Sequence, residues 1–155
     1  MITKISRRLF DMIKRHEGYR QFPYRCTAGA LTIGIGRNLD ANGITEEEAE
    51  YLCFNDIMKV LMALESHLLY WDEIPVVIQE VLINMAFQMG IQGLLGFRRT
   101  LGHIKDKNYV KASEEMLNSR WASQTPNRAK ELAKIVRNYK EELNVSSNRT
   151  TLKRG

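Results

Sequence analysis

His16–Leu39, HEGYRQFPYRCTAGALTIGIGRNL, is the stretch on which the reading of this chain turns. Just before it, Leu9, Phe10 and Ile13 recur at helical spacing from Ser6 to His16, and Gly18 supplies a helix stop. Beyond Gly18 the pattern changes to Tyr19–Tyr24, a turn across Thr27, Ala28 and Gly29, and then LTIGIG, where β-branched residues alternate with glycines. This predicts a helix that runs into a small antiparallel sheet with its turn near Gly29. Three reactive side chains lie on it, Glu17, Cys26 and Thr32, spaced Glu-x8-Cys-x5-Thr. A carboxyl, a thiol and a hydroxyl gathered where strands turn back beneath a helix end suit hydrolysis, with a cysteine where a second carboxylate is usual.

Working outward, NLDANG (38–43) reads as a loop, and Thr45 with Glu48 forms a capping box that opens a long helix, TEEEAEYLCFNDIMKVLMALESHL. Its apolar stripe is Ala49, Cys53, Ile57, Val60, Leu61, Leu64 and Leu68, which places Cys53 in the core. Pro75 suits a first helical position, and VVIQEVLINMAFQMG after it is apolar over most of its circumference, as expected at the centre of a bundle. Glu80, Asn84 and Gln88 are its one polar line, and Gly90 ends it. Shorter helices are predicted over Phe97–Lys107 and Tyr109–Ser119, and a last one begins with Thr125 as cap and Pro126 as first residue, running through NRAKELAKIVRNYKEEL. The tail, 146–155, is predicted to be disordered.

At 155 residues with 44% hydrophobic content, the chain can bury a core as a single domain, expected over 1–145. It has no apolar run of about 18 residues or more. The basic N-terminus lacks the apolar stretch and cleavage site of a secretory signal, so cytoplasmic synthesis is expected. Two cysteines are too few for a disulfide framework. A net charge of +5 favours polyanionic partners, but the basic residues are interleaved with acidic ones and no nucleic-acid-reading pattern occurs. His16, His67 and His103 have no ligand spacing, and IGIG lacks the third glycine and following helix of a nucleotide loop, so neither metal nor cofactor is expected.

Three blocks resemble the phage lysozymes of glycoside hydrolase family 24, of the T-even type: HEGYR…YRCTAGALTIGIGRNL, NMAFQMG followed by GFRRTL, and SRWASQTPNRAK. They appear in the family's order and span roughly Ile5 to Arg137. The resemblance implies an α+β, two-lobed fold. A small antiparallel sheet lobe (about 17–50) is joined by a long helix (about 45–67) to a mainly helical lobe (about 1–16 plus 68–145). It also implies hydrolysis of the β-1,4 bond between N-acetylmuramic acid and N-acetylglucosamine in bacterial peptidoglycan. Glu17 matches the family's catalytic glutamate, Cys26 a position usually held by aspartate, and Thr32 the catalytic threonine. Phe87 and Thr100 match saccharide-contacting positions, with Arg37 and Asn38 as further substrate contacts. Arg128 matches an arginine that looks toward the catalytic glutamate, and Gln88 and Trp121 are expected as hydrogen-bonded supports. The loop between Arg37 and Gly43 is much shorter than in the T-even enzyme.

On this reading the protein is an endolysin or a tail-associated relative. It is expected to act on the wall as a monomer, without stable membrane insertion, after a holin releases it from the host cytoplasm. Glu17 is the general acid of an inverting reaction, and Cys26 and Thr32 handle the water, with Arg25 or Arg37 as cations that could favour a thiolate. Two other readings keep the same cleft: a wall-binding domain that lost its base at Cys26, and a lytic transglycosylase that needs one acid and no water.

Overall fold

The computed structural model describes residues 5–141. The helix predicted before Gly18 is α1, Arg7–Glu17. Ser6 caps it by accepting a hydrogen bond from the Leu9 N–H at 3.2 Å, and Lys14, Arg15 and His16 complement the negative end of its dipole. Gly18 then takes φ 75°, open to glycine, and its N–H closes the last turn on the Lys14 carbonyl. Glu17 is thus the last helical residue, one step from the sheet.

Three antiparallel strands follow in the order β1 (Arg20–Arg25), β2 (Leu31–Gly34) and β3 (Arg37–Asn38). β1 is an edge strand. It tolerates Pro23 because the register shifts between Arg20 and Tyr24, so no ladder bond is required there. The β1–β2 turn lies where the spacing placed it, with Gly29 at φ 81° and its N–H on the Cys26 carbonyl at 2.8 Å. LTIGIG is not one strand, however. Gly34 (φ 66°) and Gly36 (φ 71°) reverse the chain, and β3 returns beside β2. Nor is NLDANG a plain loop: Asn38 accepts from the Ala41 N–H at 2.9 Å and caps a one-turn helix, α2 (Leu39–Asn42).

The capping box at Thr45 and Glu48 forms in both directions, Glu48 N–H to Thr45 Oγ1 at 3.2 Å and Thr45 N–H to Glu48 Oε2 at 2.8 Å. It opens α3, Glu46–His67. The chain divides into two compact units with the border after Phe54, inside α3. By its contacts α1 counts with the first unit, whereas the resemblance grouped about 1–16 with the helical lobe. The predicted stripe of α3 is covered only in its later half: Leu64 and Leu68 are buried, Val60 and Leu61 pack on the core, and Cys53 is exposed. The assignment of Cys53 to the core is therefore corrected; helical periodicity locates a face but not where along the helix a partner covers it. Cys26 and Cys53 are both free thiols.

In the second unit a 3-10 turn (Trp71–Glu73) leads to α4, Val76–Leu95, with Pro75 at its N-cap rather than its first position. Ile78, Val81, Leu82, Met85, Ala86 and Leu94 of α4 are buried, as its all-round apolarity requires. Gly90 (φ 79°, ψ 163°) breaks the helix where a stop was predicted, and helical turns resume at once up to Leu95. Around α4 stand α5 (Arg98–Lys105), α6 (Tyr109–Leu117), α7 (Arg120–Gln124) and α8 (Pro126–Asn138). The sequence pattern showed no α7, a helix of one turn with too few residues for a period. α8 stops before the predicted KEEL because Tyr139 leaves the helix and sets its ring edge-on to Tyr109, centroids 5.0 Å apart. The tail 146–155 lies outside the described residues. Among the described residues no helix is long and apolar enough to cross a membrane.

Candidate active site

The first unit carries Glu17, Cys26 and Thr32. Glu17 leaves the end of α1, and its side chain lies against the Gly34–Gly36 reversal. A Cβ placed on Gly36 would meet Glu17 Oε2 at 2.9 Å, with Cδ and Cγ at 3.2 Å. The carboxyl therefore rests on bare backbone, at a residue whose φ of 71° already disfavours any side chain. The second glycine of IGIG, which carries no chemistry of its own, is the contact that the spacing alone did not reveal.

Cys26 follows β1 directly and is half-buried. Its thiol pKa is held below the ordinary thiol value, first by the Ala28 backbone N–H, then by that of Ala30, with partial desolvation opposing. These donors favour the thiolate. Arg25 and Arg37, the cations that could favour a thiolate, both have other partners. Arg25 Nη1 donates to the Gly29 carbonyl at 2.9 Å and stands 3.5 Å from Asp40 Oδ2, while Arg37 pairs with Glu48. Thr32, in the middle strand opposite Tyr24, is 4% exposed, and its Oγ1 donates to the Ala30 carbonyl at 3.0 Å. The hydroxyl thus touches the same turn that holds the thiol. Asn38 spends its side-chain oxygen on capping α2, so both Arg37 and Asn38 have structural partners.

In the second unit the polar line of α4 is occupied by the last helices. Gln88 Oε1 accepts from Trp121 Nε1 at 2.9 Å, the pairing expected from the sequence. Asn84 takes two bonds from Arg128, Nε to Oδ1 at 2.8 Å and Nη2 to the backbone carbonyl at 3.1 Å. Phe97 meets Trp121 edge to face, centroids 5.9 Å apart. Beside this pair is a recess of about 430 Å³ lined by Phe97, Arg98, Arg99, Thr100, Glu115 and Trp121, among others. Thr100 is only 1% exposed, so it forms part of the recess wall, whereas Phe87 is 43% exposed on α4. Arg98, Arg99 and Glu115 were not among the predicted site residues; the RR of GFRRTL was their one sequence signal. Met89 packs against the core. Replacing Trp121 with Phe keeps the ring contact and removes the donor to Gln88. The expected result is a stability loss of about 1–2 kcal/mol, read as a lower urea midpoint.

A small antiparallel sheet with a carboxyl, a thiol and a hydroxyl, followed through a long helix by a bundle around an apolar central helix, defines an α+β lysozyme-like fold. Residues 14–142 match the family model described as phage lysozyme, and the chain belongs to that family. It is 30% identical to the probable T4-type lysozyme 1 of Dictyostelium discoideum, over 81% of this chain and 91% of that protein. It is also 30% identical to the peptidoglycan hydrolase gp36 of Pseudomonas phage phiKMV, over 79% of this chain but 14% of that protein. With the endolysin of Acyrthosiphon pisum secondary endosymbiont phage 1 it shares 37% identity over 41% of this chain and 46% of that protein. The protein is a lysozyme-type hydrolase.

Proposed function

We propose that the protein cleaves the β-1,4 bond between N-acetylmuramic acid and N-acetylglucosamine in peptidoglycan with inversion, using Glu17 as general acid and Cys26 with Thr32 to orient and activate the water. The observation that carries this reading is the setting of Cys26: its backbone closes the turn on Ala30 and Gly29, the Thr32 hydroxyl bonds the same turn, and all three lie in the same small unit as Glu17. An inverting enzyme needs a basic group on the face of the sugar opposite its acid. A carboxylate is the usual base, and a thiolate stabilised by backbone donors is its nearest replacement here. Phe87 and the recess beside Trp121 offer the exposed ring and polar groups that bind saccharide, and Thr100 shapes the wall of that recess. Arg37 and Asn38 fix the edge of the sheet as well as contacting substrate. Arg128, tied to Asn84, braces α8 against the central helix α4. The family and the endolysin relative favour a role in host lysis. The enzyme is made in the host cytoplasm, crosses to the wall through a holin lesion and works as a monomer.

The sign of the pH dependence follows from the thiol. Its lowered pKa means that thiolate is present at pH values where an ordinary cysteine is protonated, so activity rises with pH through that lowered value. Cys26→Ser, which cannot ionise, is expected to lose that rising limb and to clear sacculi about 10²-fold more slowly. Cys26→Asp keeps an ionised group and retains most of the rate. Full activity in Cys26→Ser would remove the thiol from the mechanism. Mass spectrometry of the released muropeptides tests the water itself: hydrolysis gives products heavier by one water than the anhydro-sugars of a transglycosylase.

A further inference from the structure

β3 is two residues long, and this shortness leaves the first N–H of β2 without a strand to receive it. The Leu31 N–H goes instead to Asp40 Oδ2 at 2.8 Å, a carboxylate returned to the sheet by α2. The same oxygen stands 3.5 Å from Arg25 Nη1, which donates at 2.9 Å to the Gly29 carbonyl at the tip of the turn. Inside the turn, the Cys26 N–H bonds the Ala30 carbonyl at 3.0 Å and the Gly29 N–H bonds the Cys26 carbonyl at 2.8 Å. One carboxylate oxygen therefore grips the segment Arg25–Leu31 at its exit directly and at its tip through Arg25.

We propose that Asp40 is a positioning residue for Cys26: with Arg25 it staples the β1–β2 turn, whose backbone bonds to the Cys26 N–H and carbonyl fix where the thiol stands. The inference deepens the reading of Cys26 as the group that handles the water, and it rests on that reading. Asp40 lies on a different element from Glu17, Cys26 and Thr32, and its part is to hold backbone in place. Arg25 and Asp40 are the charged side chains bonded within this turn. They stand 3.5 Å apart and offset one another's charge.

The test uses the full chain with Cys53→Ser, which removes the exposed second thiol and leaves lysis unchanged. Iodoacetamide alkylation of Cys26 is followed against pH, and kcat and KM are measured on purified sacculi. Asp40→Ala is expected to shift the alkylation profile toward the higher pH of an ordinary thiol and to lower kcat about tenfold, with KM little changed. Asp40→Asn, which keeps an acceptor for the Leu31 N–H but loses the charge opposite Arg25, falls between. An alkylation profile in Asp40→Ala that superimposes on the parent overturns the staple. Should Asp40→Ala fail to fold, Asp40→Asn and Arg25→Gln carry the same test, and unshifted profiles in both overturn it. The alkylation readout does not depend on catalysis. Full lysis by Cys26→Ser would thus sink the proposed mechanism, while the staple would still stand or fall on its own measurement.

Discussion

Glu17→Gln is expected to leave the protein folded and bound to sacculi while the loss of turbidity slows by at least 10²–10⁴-fold, the range of a missing general acid. Glutamine keeps the size of the side chain and its fit against the Gly34–Gly36 reversal, but it has no acidic proton to give to the leaving oxygen. Because α1 ends at this residue and Gly18 caps the helix independently, the substitution removes no helical hydrogen bond. Sedimentation with sacculi and release of reducing ends together read the result. Retained binding without cleavage is the expected outcome, and retained cleavage would take the acid role away from Glu17. A parent chain that binds but never cleaves would instead identify a wall-binding domain.

Gly36→Ala should cost moderate stability and, beyond that, much activity. Alanine at φ 71° carries a left-handed strain of about 1–2 kcal/mol. Its Cβ would also stand 2.9 Å from Glu17 Oε2, too close for the carboxyl to stay where it is, and a tight 3.2 Å from Cδ. The carboxyl is the end of a flexible side chain, so it can swing aside at small energetic cost. Moving it is what catalysis does not tolerate, since a displacement of about 1 Å costs on the order of 10²-fold in rate. Gly34→Ala is the matched control. Its φ of 66° imposes similar strain, but nothing lies within 4 Å of the added methyl. The two variants should melt alike in urea and differ in kcat. Equal kcat in the two would show that the Gly36 contact does not position Glu17.

The helix stop at Gly18, the Gly29 turn, the capping box and the central helix α4 are legible in the chain because each rests on local rules: backbone freedom at glycine, reciprocal caps, apolar periodicity. Features set by distant partners were not. The LTIGIG string looked like one strand, since nothing local signals that both glycines take positive φ and fold β3 back. Cys53 matched the apolar stripe of α3 yet is exposed, because periodicity does not say which turns of a long helix meet a core. Arg25 and Arg37 read as cations that could favour a Cys26 thiolate, but nothing local says which partners they take: Arg25 bonds Gly29 and stands by Asp40, and Arg37 pairs with Glu48.

The sequence by itself determined which chemical groups are present, Glu17, Cys26 and Thr32 at fixed spacing, and through the three matching blocks the family to which they belong. Tertiary structure alone decided what surrounds them: bare Gly36 backbone under the carboxyl, a hydrogen-bonded turn that starts at Cys26, and the Asp40 carboxylate that closes the turn. The division has a physical cause. A side chain's identity is written at its own position, whereas its reactivity depends on dipoles, hydrogen bonds and contact distances supplied by residues that only folding brings near.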